Sequence, residues 1–109
     1  MTEQLNQASL KDILDSAALI QEYVKGLTFP EFEKDTMRFL AVSRLFEIVG
    51  EATKNLSPDF KLKYPNVSWK KMAGLRDVII HDYQELNREM IYKIASEDIP
   101  NLISELNKI

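Results

Sequence analysis

A chain of 109 residues with 45% hydrophobic content has the size of one domain and enough apolar material to bury a core without disulfides or a structural metal. It contains no cysteine, which excludes a disulfide framework, a thiolate nucleophile and a cysteine-based zinc site, and fits a reducing cytoplasm. With 14 basic residues against 17 acidic ones the formal charge is −3, so there is no global basic footprint for nucleic acid and any such site must be local. The stretch Met1 to Gln7 is polar and no apolar run exceeds four residues, so the chain reads as neither exported nor membrane-spanning.

The first periodic segment carries Leu10, Ile13, Leu14, Ala17, Ile20, Val24 and Leu27 at the spacings of one helix face, with Ser9 as the expected N-cap. Gly26, Thr28 and Pro30 break the pattern. A second, longer amphipathic helix follows through Met37, Leu40, Ala41, Leu45, Ile48, Val49, Ala52 and Leu56, with Arg44, Glu47 and Glu51 on its opposite face. Ser57-Pro58-Asp59 and Tyr64-Pro65-Asn66 mark a connector of loop or short helical turn, and Ser68 reads as the N-cap of a third helix beginning near Trp69. The last segment opens around Asn87 and places Ile91, Ile94, Ala95, Ile99, Leu102, Leu106 and Ile109 on one face. Pro100 should kink it, because proline lacks the N–H donor and crowds the preceding turn. Amphipathic helices with short links and no strand-like alternation predict an all-α, up-and-down bundle of four to five helices, formed by residues 1–109 as a single domain.

The third helix is where chemistry concentrates. Trp69, Met72, Ile79, Ile80 and Tyr83 form an apolar stripe, and Arg76 falls within it, so a guanidinium on a buried side must find a carboxylate, a carbonyl or a ligand anion. A structural ion pair with Glu47 or Glu51 is one answer; a binding site is the other. His81 is the sole histidine and the only side chain whose unperturbed pKa lies near neutrality, which suits proton transfer as well as helix capping. At about 100° per residue, positions 76 and 83 nearly eclipse, whereas positions 76 and 81 diverge by about 140°. Either the helix ends or distorts around residues 80–82, or a site using both is assembled across a symmetric dimer. Glu47 and Glu51, four apart, repel by roughly a few tenths of a kcal/mol unless compensated, and ion pairs to Arg44 and Arg76 are the expected compensation rather than a metal.

The run Arg76-Asp77-Val78-Ile79-Ile80-His81-Asp82-Tyr83 resembles the Arg-x4-His-x-Tyr motif of HepT-like toxins, within the HEPN superfamily of small helical ribonucleases. Asp77 fits the polar position that commonly follows the arginine. The likeness extends to Arg44-Leu45-Phe46-Glu47-Ile48-Val49-Gly50-Glu51-Ala52, to Trp69, and over most of residues 8–109. The resemblance implies an HEPN-like bundle and a metal-independent endoribonuclease without cofactor, the toxin of a toxin–antitoxin pair whose antitoxin is an MntA-like nucleotidyltransferase. It also implies a homodimer with two Arg/His pairs lining a shared cleft, and it offers Tyr83 as a site of AMP attachment, the alternative being an accessory hydroxyl that only orients His81 or Asp82.

The chemistry behind that implication is simple. RNA supplies its own nucleophile, the 2′-OH, so a protein need provide only a proton acceptor, a proton donor and a stabiliser of phosphorane charge. His81 can serve as acid or base, and Arg76 can present two donors to phosphate oxygens. Glu47, Glu51 and Asp77 are candidates to hold Arg76 in place. Lys70 and Lys71 could add local positive potential for RNA on an acidic protein, although they equally suit an ordinary solvated helix start. The alternative from another class is a non-catalytic helical partner that binds or regulates a nucleotidyltransferase, with the motif serving as its interface.

Overall fold

A computed structural model describes the backbone of residues 1–81 and 88–109, and their side chains except those of Ile80 and His81. The described residues form α1 (Thr2–Val24), α2 (Phe29–Lys34), α3 (Thr36–Asn55), α4 (Pro58–Lys63), α5 (Trp69–His81), α6 (Arg88–Lys93), a π-helical turn (Ile94–Asp98) and α7 (Ile99–Leu106). This is the expected all-α bundle, and α3 is its axis, packed along α1 on one flank and α5 on the other. Helices α1 and α3 run antiparallel. Arg38, at the head of α3, donates to the carbonyl of Tyr23 at the tail of α1. Asn6, at the head of α1, donates to the Ser57 hydroxyl and accepts from the Ser57 N–H beyond the end of α3.

That second contact corrects the reading of Ser9 as a cap. Helix α1 starts at Thr2, with Met1 in the N-cap position, and Ser9 is a buried residue within it. The first turns lack an apolar stripe but are tied down by Asn6, a long-range bond that periodicity does not report. Pro30 likewise begins a helix rather than only ending one. Thr28 caps α2 in a capping box, accepting from the Glu31 N–H while the Glu31 carboxylate accepts from the Thr28 N–H, and proline in the first turn loses no needed donor. The Thr28 N–H, and after it the Thr28 hydroxyl, donate to the Glu31 carboxylate and hold it below its ordinary range. Between α1 and α2, Gly26 adopts φ 75°, a left-handed conformation that suits glycine.

The short elements are fixed by aromatic residues. Phe32 is fully buried and stacks near Phe39 and Tyr92, with centroids 6.3 and 5.5 Å away, which joins α2 to α3 and α6. Tyr92 donates its hydroxyl to the Leu27 carbonyl, and Arg88 lies over the Phe39 ring. On the other side of the bundle, the Trp69 indole N–H is shared by the carbonyls of Lys61 and Tyr64, which holds the connector helix α4 against the start of α5. Ser68 precedes α5 as expected, but its hydroxyl donates to Glu105 of α7.

The expected irregularity near Pro100 is a π-helical turn. The Ile99 N–H bonds to the Ile94 carbonyl, five residues back, and widens the helix just before the proline, whose ring would otherwise crowd the carbonyl of Ser96. The core face continues through Ile91, Ala95, Ile99, Leu102 and Leu106, but Ile109 does not share it and is 40% exposed. Among the described residues no helix is long and apolar enough to cross a membrane.

Phe32→Ala should cost about 3–5 kcal/mol, because it removes the ring around which α2, α3 and α6 close. Urea denaturation followed by circular dichroism measures this.

Candidate active site

The site grows from the crossing of α3 and α5. On α3, Val42, Leu45, Phe46 and Val49 point into the core, and on α5 so do Trp69, Met72, Leu75 and Ile79. Leu75 belongs to the apolar stripe although its position is not singled out by the sequence pattern. Where the two helices come closest, α3 presents Gly50, which is buried. A Cβ built there would lie 2.5 Å from Arg76 Cβ, 2.6 Å from the Arg76 backbone nitrogen and 3.1 Å from the Ala73 carbonyl oxygen. Glycine inside a helix costs about 1 kcal/mol relative to alanine, and the close approach is the compensating gain.

This approach sets Arg76 beside the charged edge of α3. Its Nε lies 2.8 Å from Glu51 Oε2, and the two side chains are 38% and 61% exposed. Of the two expected partners, Glu47 and Glu51, it is Glu51 that pairs with Arg76, while the expectation of a buried charge is corrected: the guanidinium sits at the rim, where desolvation is modest. One turn away, Lys54 bridges to Asp77 at 3.1 Å, a second tie between the same helices. Glu47 pairs with Arg44 at 3.3 Å, so each carboxylate of the 47/51 pair has its own arginine. The Glu51 contact is made through Nε, so among the described residues the two Nη groups of Arg76 are left as further donors.

A groove of about 240 Å³ runs beside this edge, lined by Asp12 of α1 and by Arg44, Glu47, Ile48 and Glu51 of α3. Among the described residues no three His, Asp or Glu side chains converge as metal ligands. Lys70 is exposed, and Lys71 is drawn to Asp98 at 3.4 Å. The backbone of α5 stays helical to position 81, where it ends as described; the His81 side chain and Tyr83 lie outside the described residues. The structure therefore brings together Arg76, Glu51 and Asp77 at one crossing, with Glu47 on the adjoining turn. Gly50 is the member of the group to which the sequence reading gives no role. Its signal is a glycine in the middle of a long amphipathic helix.

An all-helical bundle in which a partly exposed arginine, the first residue of an Arg-x4-His-x-Tyr sequence, sits on a helix packed against a glutamate-bearing partner defines the class. The chain belongs to the HepT-like ribonuclease family, whose model, described as "Ribonuclease HepT-like", matches residues 13–109. It is 46% identical over 103 residues to a Methanocaldococcus jannaschii protein that bears the name "Putative RNase MJ0127", covering 94% of this chain and 85% of that one. It is 38% identical over 100 residues to a Thermococcus cleftensis protein named "Probable ribonuclease HepT", covering 92% and 91%. A Caldanaerobacter subterraneus protein named "Putative RNase TTE0752" is 39% identical over 100 residues, covering 92% and 89%. No solved structure matches the chain significantly.

Because the Arg76–Glu51 pair is exposed, Glu51→Ala should change stability by no more than about 1 kcal/mol. Gly50→Ala, which forces a methyl group against backbone, should cost about 1–3 kcal/mol. Urea titrations of the two variants should fall in that order.

Proposed function

We propose that this chain is the toxin of a type II toxin–antitoxin pair, a metal-independent endoribonuclease that works as a homodimer with residues 1–109 forming one helical domain in each subunit. The observation that carries this reading is Arg76, the first residue of the motif, seated at a rim with more than a third of its side chain exposed and with Glu51 on its Nε. An arginine so placed is available to a phosphate. Membership of a ribonuclease family, and relatives whose names carry RNase, support RNA as that phosphate's source.

In the proposed reaction His81 accepts the proton of a ribose 2′-OH, and the oxygen attacks the neighbouring phosphorus. The bond from phosphorus to the 5′-oxygen breaks, and that oxygen receives a proton from a general acid. The products are a 2′,3′-cyclic phosphate and a 5′-OH. Arg76 offers paired donors to the non-bridging oxygens as charge builds on the phosphorane. Glu51, with Asp77 and Glu47 behind it, keeps the guanidinium oriented. Lys70 and Lys71 add positive potential along the approach.

The regular backbone of α5 bears on the dimer. Positions 76 and 81 lie about 140° apart around a regular helix axis, and the chain has one histidine, so a base and an acid that are both histidines require two copies. The proposed partner is an MntA-like nucleotidyltransferase antitoxin, held with the toxin in a larger assembly. It neutralises the toxin by transferring AMP to the Tyr83 hydroxyl, which attacks the α-phosphate of ATP and releases pyrophosphate. A bulky anion beside the motif would repel the substrate phosphate.

The purified wild-type protein should cleave single-stranded RNA in EDTA and leave 2′,3′-cyclic phosphate ends. Arg76→Ala and His81→Ala should each lower the rate by about 10²-fold or more. Full activity in both variants while folded would remove catalysis from this motif and favour the non-catalytic partner role. Tyr83→Phe should still cleave RNA but escape neutralisation when antitoxin and ATP are added; neutralisation of that variant would contradict AMP attachment at this position.

A further inference from the structure

We propose that Gly50 is a positioning residue for Arg76, acting with its neighbour Glu51: the glycine sets where the arginine side chain starts, and the glutamate sets how its guanidinium turns. This rests on Arg76 acting in RNA cleavage as proposed above. All three obstacles to a Cβ at position 50 are immobile, being the Arg76 Cβ, the Arg76 backbone nitrogen and the Ala73 carbonyl oxygen, at 2.5, 2.6 and 3.1 Å. None is the tip of a side chain that could rotate aside. An alanine there would push α5 away from α3 by roughly 1 Å before ordinary contact distances return.

The displacement would act at a sensitive place. The Glu51–Arg76 contact at 2.8 Å and the Lys54–Asp77 contact at 3.1 Å both lie beside the touching point, one and four residues beyond Gly50 on α3, so separation of the helices opens both. A lysine on a flexible stem can follow its partner. A guanidinium that must meet a phosphorane cannot, because a misplacement of about 1 Å can cost roughly 10²-fold in rate. Gly74, in the same helix as Arg76, shows the contrast: a Cβ there would meet nothing within 4 Å. The close approach at position 50 is thus particular to the crossing that carries Arg76.

The test measures kcat and KM for RNA cleavage in wild type, Gly50→Ala, Arg76→Ala and the double variant, with Ile20→Val, a core change in α1, as a control for lowered stability. Arg76→Ala retains both the Cβ and the backbone nitrogen, so the clash with a methyl group at position 50 persists in the double variant. Gly50→Ala should lower kcat by about 10²-fold with KM little changed, and should cause no further loss when Arg76 is already alanine. Ile20→Val should keep the wild-type kcat. Should Gly50→Ala not fold, Glu51→Gln carries the same test on an exposed residue: a loss of kcat of about 10-fold or more that vanishes in the Arg76→Ala background. Wild-type kcat in Glu51→Gln or in folded Gly50→Ala, or equal losses with and without Arg76, would overturn the inference. If the wild type shows no cleavage dependent on Arg76, it is the ribonuclease reading that fails, and this appears before any Gly50 variant is made.

Discussion

The contact of α3 with α5 at Gly50 is the constraint on which the site depends. Two helices usually meet through side chains at axial distances of about 8–10 Å. Here one of them has no side chain at the crossing, and the backbone of the other lies directly against it. The geometry of the charged rim follows. Glu51 is next to Gly50 in sequence and Asp77 is next to Arg76, so the ion pairs to Arg76 and from Lys54 both fall close to the contact. The apolar residues of both helices then drive the crossing closed, and the charges bias its rotation. Stability and site geometry share one cause at this point, and glycine is what allows both.

The exposure of Arg76 has a functional logic within the proposed reaction. A deeply buried arginine paired with a buried carboxylate would be costly to part from its partner. A pair at the rim is worth little, so a phosphate can take the Nη donors while Glu51 keeps Nε. The acidic balance of the whole chain is compatible with RNA as substrate on the same terms, since affinity would rest on a local arrangement rather than on net charge.

Much of the fold is legible in the sequence because it depends on periodicity. The stripes through Ile13 to Val24, Leu45 to Leu56 and Ile91 to Leu106 are one-dimensional patterns, and the helices lie where those patterns put them; at the head of α3 the expected face is wrong, since Met37 and Leu40 are exposed and Phe39, Val42 and Phe46 hold the core there. What cannot be read there depends on contacts between distant residues. The early start of α1 comes from Asn6 meeting Ser57, 51 positions away. The π-helical turn before Pro100 is one of several ways to accommodate a proline. At the site, the charge pattern on α3 offers Glu47 or Glu51 as the partner of Arg76, and the structure pairs it with Glu51. The rim position of Arg76 is not legible, because an arginine flanked by apolar residues in sequence gives no sign of how close the opposite helix stands. Gly50 is visible as a glycine, but its meaning resides in Ala73 and Arg76, which only the tertiary structure brings to it.

The central claim, that Arg76 and His81 make this chain an RNA-cleaving toxin, is tested most directly by inducing its expression in bacterial cells and following growth and RNA integrity together. Wild type should arrest growth with fragmentation of cellular RNA, while Arg76→Ala and His81→Ala, shown by circular dichroism to be folded, should do neither. Equal growth and intact RNA in all three, or equal arrest in all three, would contradict it.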